Sequence, residues 1–180
     1  MPLRKTISAI AISLAAVTAL SGTAVACMAN APFVVEDVRQ ADIVIDGVLT
    51  GYKVVSPGRP GTLDDYGLLT IRVDEALRGE VSGEVQIYWW NSTFAMPEKV
   101  KLGERVLVAA ARANHAGLPL RGTSATVYGS RRPDLPQLLQ APCAPAFLLP
   151  YTPVAAQNIV TLLDGGTVAP HDYFAAGWLY

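Results

Sequence analysis

The sequence predicts a mainly β protein, a small five-stranded barrel with a short helix in front of it and another helix behind. Three observations carry that expectation. Leu69-Thr70-Ile71-Arg72-Val73-Asp74 and Val85-Gln86-Ile87-Tyr88-Trp89-Trp90 alternate along the chain as half-buried strands do. Two further apolar runs, Asp42 to Val55 and Arg105 to Ala111, are bounded by turn residues. Finally, Thr152-Pro153 is a helix start, a capping hydroxyl followed by proline in the first turn.

Taken in order, residues 32 to 41 read as a short helix. Pro32 suits a first turn, and Val34 or Val35 with Val38 and Ala41 makes one apolar face. Asp42 to Val55 is rich in β-branched residues, and Gly47 and Gly51 inside it mark bulges where a long strand bends. Ser56 to Tyr66 is a turn-rich loop. Arg78-Gly79-Glu80 and Ser82-Gly83 supply the turn between the second and third strands. Arg105 to Ala111 is apolar on both faces, as a central strand must be. A fifth, weaker strand is placed within Leu118 to Tyr128, and the proline-rich stretch Ala141 to Pro150 reads as loop. In the last helix Ala155, Ile159 and Leu162 form the buried stripe, and Gly165-Gly166 ends it.

Residues 1 to 26 have the parts of an export signal. Arg4 and Lys5 precede a short apolar run from Ile7 to Leu20, and Ala24-Val25-Ala26 fits the small-x-small cleavage pattern. The run is shorter than the roughly 20 residues a spanning helix needs, and nothing after it is long enough either. The expectation is an exported protein, periplasmic or secreted, with no transmembrane span in the mature chain. It divides into a barrel domain over 27–166 and an aromatic tail over 167–180. Removing Arg4 and Lys5 from the 14 basic residues leaves 12 against 15 acidic ones, a net charge of -3. With no basic stripe, nucleic acid is excluded as a partner class.

The sequence holds two cysteines, Cys27 and Cys143. In an oxidising compartment the simplest arrangement is one disulfide between them. The alternative is acylation, since Ala24-Val25-Ala26-Cys27 resembles a bacterial lipoprotein box, with Ala24 where such boxes carry leucine. The two exclude each other, because an acylated sulfur has no bond left for Cys143.

The order of features resembles the netrin-like and tissue-inhibitor-of-metalloproteinase-like superfamily. A cysteine follows the signal, then come ADIVIDGVLTGY, LLTIRVDEALRGE, VQIYWW and LGERVLVAA, and then a late cysteine. The resemblance covers residues 27 to about 145 and implies an OB-type five-stranded barrel with flanking helices. In the animal inhibitors the free α-amine and carbonyl of the N-terminal cysteine chelate the target protease's zinc while its sulfur sits in a disulfide. Carried over, that would make Cys27, with Met28 after it, the zinc-facing start of the chain. Where the inhibitors carry a second cysteine, this chain has Ala29.

For function, the residues point away from catalysis. His115 and His171 both fall in loops, and no H-E-x-x-H, G-x-S-x-G or phosphate-loop pattern occurs. No metal or cofactor is expected. Strand parity turns Trp89 inward with Val85 and Ile87 and turns Tyr88 and Trp90 the other way. OB barrels use such aromatics to hold ligands, unless the C-terminal segment covers them. That tail, Tyr173 to Tyr180, is too aromatic to stand in water. Asp64-Asp65 and Arg131-Arg132 read as solvated charge, and Asn91-Ser92-Thr93 as a glycosylation acceptor. The reading is an exported, non-catalytic binding or structural protein of the cell envelope with an unidentified protein partner. Its candidate surface is Cys27, Met28, Tyr88 and Trp90. The alternatives are a metalloprotease inhibitor acting through Cys27 and a lipoprotein anchored at Cys27.

Overall fold

The computed structural model describes residues 31–58, 65–90, 97–113, 132–141 and 143–180. The export segment, Cys27, Met28, the 91–93 acceptor, His115 and the 118–128 strand lie outside the described residues.

Alternation and turn chemistry produce three long strands: β1 (Ile43–Val55), β2 (Tyr66–Arg78) and β3 (Glu84–Trp90). β2 and β3 join through a short turn in which Gly79 and Gly83 both take positive φ, +80° and +70°. Along the β1–β2 ladder the register slips between Asp46 and Gly47 and between Leu49 and Gly51, and again between Val44 and Ile45. The first two are the glycine positions expected to bulge. At Gly47 the reason is space, because a Cβ there would collide with the carbonyl oxygen of Arg72. The slips increase local bending, which lets one strand serve two neighbours in a closed sheet.

Closure comes from β4 (Arg105–Ala111), which pairs antiparallel with β1 over Ile43–Val48. The other edge of β4 is shared by two short pieces, β5 (Gln137–Leu138) and β6 (Leu148–Pro150). β5 also runs parallel to β3 through Tyr88 and Gln137, so the ring β1–β2–β3–β5–β4 returns to β1. The result is a closed five-stranded barrel, consistent with the OB type.

Among the described residues the strand that closes the ring is at 137–138. One expectation needs correction here: Ala141–Pro150 is not all loop, since Leu148–Pro150 is β6. Proline is admitted because β6 pairs on one side only, with β4, so the missing N–H of Pro150 costs no ladder bond on a second neighbour. The segment expected as a short N-terminal helix is a six-residue 3-10 helix, Val35–Gln40, burying Val35 and Val38.

β4 explains the two-faced run. Val106, Val108 and Ala110 point into the barrel with Ile45, Leu69, Ile71, Ile87 and Leu148. Leu107, Ala109 and Ala111 face a second core, built with Val38, Phe147 and Leu149 under helix α1 (Pro153–Leu163). That helix begins as its sequence indicates. Thr152 Oγ1 accepts from the Ala155 N–H at 3.0 Å, and Ala155, Ile159 and Leu162 are its buried stripe. Arg39 reaches from the 3-10 helix to the carbonyls of Leu162 and Gly166, capping the far end of α1.

Candidate functional site

Between β5 and β6 the chain leaves the barrel wall and comes back, making a tight excursion with Cys143 at its tip. The neck is closed by the Gln140–Ala146 bridge and by the Phe147 N–H donating to the Leu139 carbonyl at 2.8 Å. Inside the loop the Ala144 N–H reaches the Ala141 carbonyl at 3.1 Å. Gln140 braces it further: its Nε2 donates to the Ala144 carbonyl at 2.9 Å, and its Oε1 accepts from the indole Nε1 of Trp89 at 3.1 Å. The loop is thereby bonded to a side chain rooted in the barrel interior.

Cys143 itself has φ of +62°, the sole positive-φ residue other than glycine among the described residues. A left-handed backbone at a residue with a Cβ is disfavoured and persists only where surroundings impose it. The imposed partners are visible. Cys143 is disulfide-bonded rather than a free thiol. Its carbonyl also accepts from the Ala31 N–H at 2.7 Å, so the chain entering the described residues is fastened to the loop tip. Two residues on, Phe33 packs on Phe147, with ring centres 4.8 Å apart, and on Phe174 at 5.3 Å.

The aromatic surface expected on β3 is not there as read. Tyr88 is 1 % exposed and packs at a tilt against Tyr66, with ring centres 5.1 Å apart, while Trp90 is half-buried. Parity set the direction of Tyr88 correctly but not its surroundings. The Tyr88 N–H is taken by the Pro136 carbonyl at 2.8 Å. The end of the tail docks on the inner side, with Leu179 buried in the barrel core and Tyr180 edge-on to Trp89 at 5.2 Å. Asp65 is buried rather than solvated, and Arg132 pairs with Asp134 at 2.7 Å. His171 is exposed and lies edge-on to Tyr173 at 4.9 Å.

Sequence reasoning did not single out three features. Gln140 has no pattern around it that marks a brace. Phe33 reads simply as an apolar residue near a helix. Asp46 and Arg105 stand in separate strands and meet only through the β1–β4 register, where Asp46 lies opposite Leu107. Arg105 Nε and Nη2 donate to the two carboxylate oxygens of Asp46 at 2.8 and 2.7 Å, and its guanidinium lies 3.7 Å from the centre of the Tyr151 ring. The Arg105 pKa is raised, first by the hydrogen bond to Asp46.

Among the described residues no group of three or more histidine, cysteine or acidic side chains is placed to hold a metal ion. No described helix is long and apolar enough to cross a membrane. No family model matches the sequence, and no curated protein matches it either. Fold and site together define a class only: a side-chain-filled β-barrel that presents a braced, disulfide-bonded edge loop.

Proposed function

We propose that this is an exported, non-catalytic protein of the cell envelope that binds another protein through the edge formed by the Cys143 loop and the chain entering at Ala31. The observation that carries the reading is the bracing of that edge: Trp89, Gln140 and the Ala31–Cys143 hydrogen bond hold it in one conformation. A pre-ordered edge loses little entropy on docking, which favours use as a contact surface. The barrel interior is already filled by side chains, so the binding surface is sought on the outside.

The bonded state of Cys143 supports a Cys27–Cys143 disulfide, since Cys27 is the other cysteine of the sequence. The reach agrees: the four residues from Cys27 to Ala31 span at most about 14 Å, and Ala31 is bonded to Cys143. This pairing argues against the lipid anchor. It also keeps a second reading open, the one implied by the resemblance to metalloprotease inhibitors, in which the Cys27 amine and carbonyl occupy a target zinc.

A photo-crosslinking residue at Pro145, at the loop, tests the first reading against one at Glu75, on the exposed part of β2. The expected result is one crosslinked host protein from Pro145 and none from Glu75, lost in Cys143→Ser. Equal capture from both positions, or a turnover activity abolished by a single substitution, overturns it. The inhibitor reading is separated by adding one residue ahead of Cys27. Inhibition of a zinc endopeptidase that vanishes with the extension supports zinc chelation, and inhibition unchanged by it rules chelation out.

A further inference from the structure

A second surface lies where the tail runs past the start of β4 and the end of β6, with no residue of the Cys143 loop in its lining. A groove of about 200 Å³ is walled by Trp178 and Tyr151 and rimmed by Lys101, Glu104 and Arg105. Trp178 is 46 % exposed, an unusual position for the largest apolar side chain. It is nevertheless held firmly. Phe174 stacks on it in parallel, with 4.1 Å between centres and 11° between planes, and Tyr180 meets it edge-on at 5.9 Å. Gly177, with φ of +102°, makes the turn that sets the ring there, and the Leu179 carbonyl is pinned by the Lys101 N–H at 2.8 Å. An indole braced in this way yet left open to water is a platform with its partner missing.

The rim has its own chemistry. The Lys101 ammonium makes no ion pair or hydrogen bond among the described residues. Arg105 gives Nε and Nη2 to Asp46 and has Nη1 outside that pair, and Tyr151 on its face fixes its orientation. The Lys101 ammonium and the fixed Arg105 guanidinium are two cationic donors suited to a carboxylate, Glu104 is an acceptor for hydroxyls, and the Trp178 wall suits a flat apolar face. The volume is below the roughly 300–1,000 Å³ of pockets for drug-sized ligands and matches a single ring.

We propose that this groove binds a sugar ring bearing a carboxylate, a uronic acid residue, stacked on Trp178 with its acid group at Lys101 and Arg105. No residue lining the groove belongs to the Cys143 loop or to the chain entering at Ala31, so failure of either proposal leaves the other standing. The experiment is an NMR titration of backbone amides and tryptophan indoles with glucuronic acid, and in parallel with glucose and with acetate. The expected result is saturable shifts at residues 101–105, 151 and 176–179 and at the Trp178 indole. Glucuronate should bind about tenfold more tightly than glucose, the contribution of one charge-assisted contact. Lys101→Gln should remove most of the advantage of glucuronate over glucose, and Trp178→Ala should abolish binding of both. Lys101 is exposed, so its variant folds independently of any effect on the tail. Equal shifts with glucose, equal shifts with acetate, no loss in Lys101→Gln, shifts elsewhere, or none at all each overturn the proposal.

Discussion

Tyr52 shows how one side chain links burial to solution behaviour. Its ring stands edge-on to Trp89 at 6.2 Å, and its hydroxyl donates to the Pro97 carbonyl. Burial disfavours the phenolate, so its pKa is pushed up to about 12, and Tyr173 and Tyr180 are raised for the same reason. In the unfolded chain tyrosine ionises near pH 10. Between about pH 10 and pH 12 the unfolded chain has therefore released a proton that the folded chain keeps. Stability must fall as pH rises through that window and be unaffected by these groups below it. Tyr52→Phe removes one of the three contributions, at the cost of the hydrogen bond to Pro97. Its thermal midpoint should lie below that of the wild type near neutrality, and the gap should narrow as the pH is raised from about 9 to about 11. Parallel midpoints across that range would show that Tyr52 ionises freely in the folded state. None of this was legible from the residue alone, because position 52 looks like any strand tyrosine until Pro97 and Trp89 are brought to it.

At the scale of elements, legibility followed the length of the repeating pattern. α1 was readable in every part, since cap, first-turn proline, stripe and terminal glycines are all local signals spaced within one helix. Thr152→Ala should cost about 1 kcal/mol, the usual loss for a hydroxyl cap. Ile159→Ala should cost about 2–5 kcal/mol, because Ile159 is wholly buried beneath the sheet. Denaturant unfolding checks both, and a Thr152 loss as large as that at Ile159 would mean the cap holds more than the helix end. β4 was equally clear, because two cores leave it no polar face. The strand closing the barrel was not. Two residues at 137–138 and three at 148–150 carry no alternation, and what makes them strands is the free edge of β4 beside them. The Cys143 excursion between them has no pattern of its own, so a proline-rich sequence there read as loop, which is correct for its middle and wrong for its end. The candidate site suffered from the same limit. Cys143 stood out as a cysteine, but the bracing by Gln140 and Trp89 arises from residues about fifty positions apart.

Across the whole molecule, the tail is a structural part of the barrel and not an appendage. A continuous series of ring contacts runs from Phe147 through Phe33, Phe174, Trp178, Tyr180 and Trp89 to Tyr52. It joins the segment beside Cys143 to the barrel interior, and the last eight residues supply its middle three members. Cutting the chain after Asp172 would uncover Phe33 on one side and Trp89 on the other, and would remove Leu179 and Tyr180 from the barrel core. Loss of a single buried side chain of this size costs about 2–5 kcal/mol, a large part of the 5–15 kcal/mol that holds a typical domain together. The truncated protein should therefore melt well below the full chain, its tryptophan emission should shift to longer wavelength as Trp89 meets water, and amide exchange should rise both in β3 and around Ala31. The paired response is the discriminating part. Exchange rising in β3 alone would make the tail a plug for the barrel, whereas a rise at both places shows that it couples the interior to the edge proposed as the binding surface.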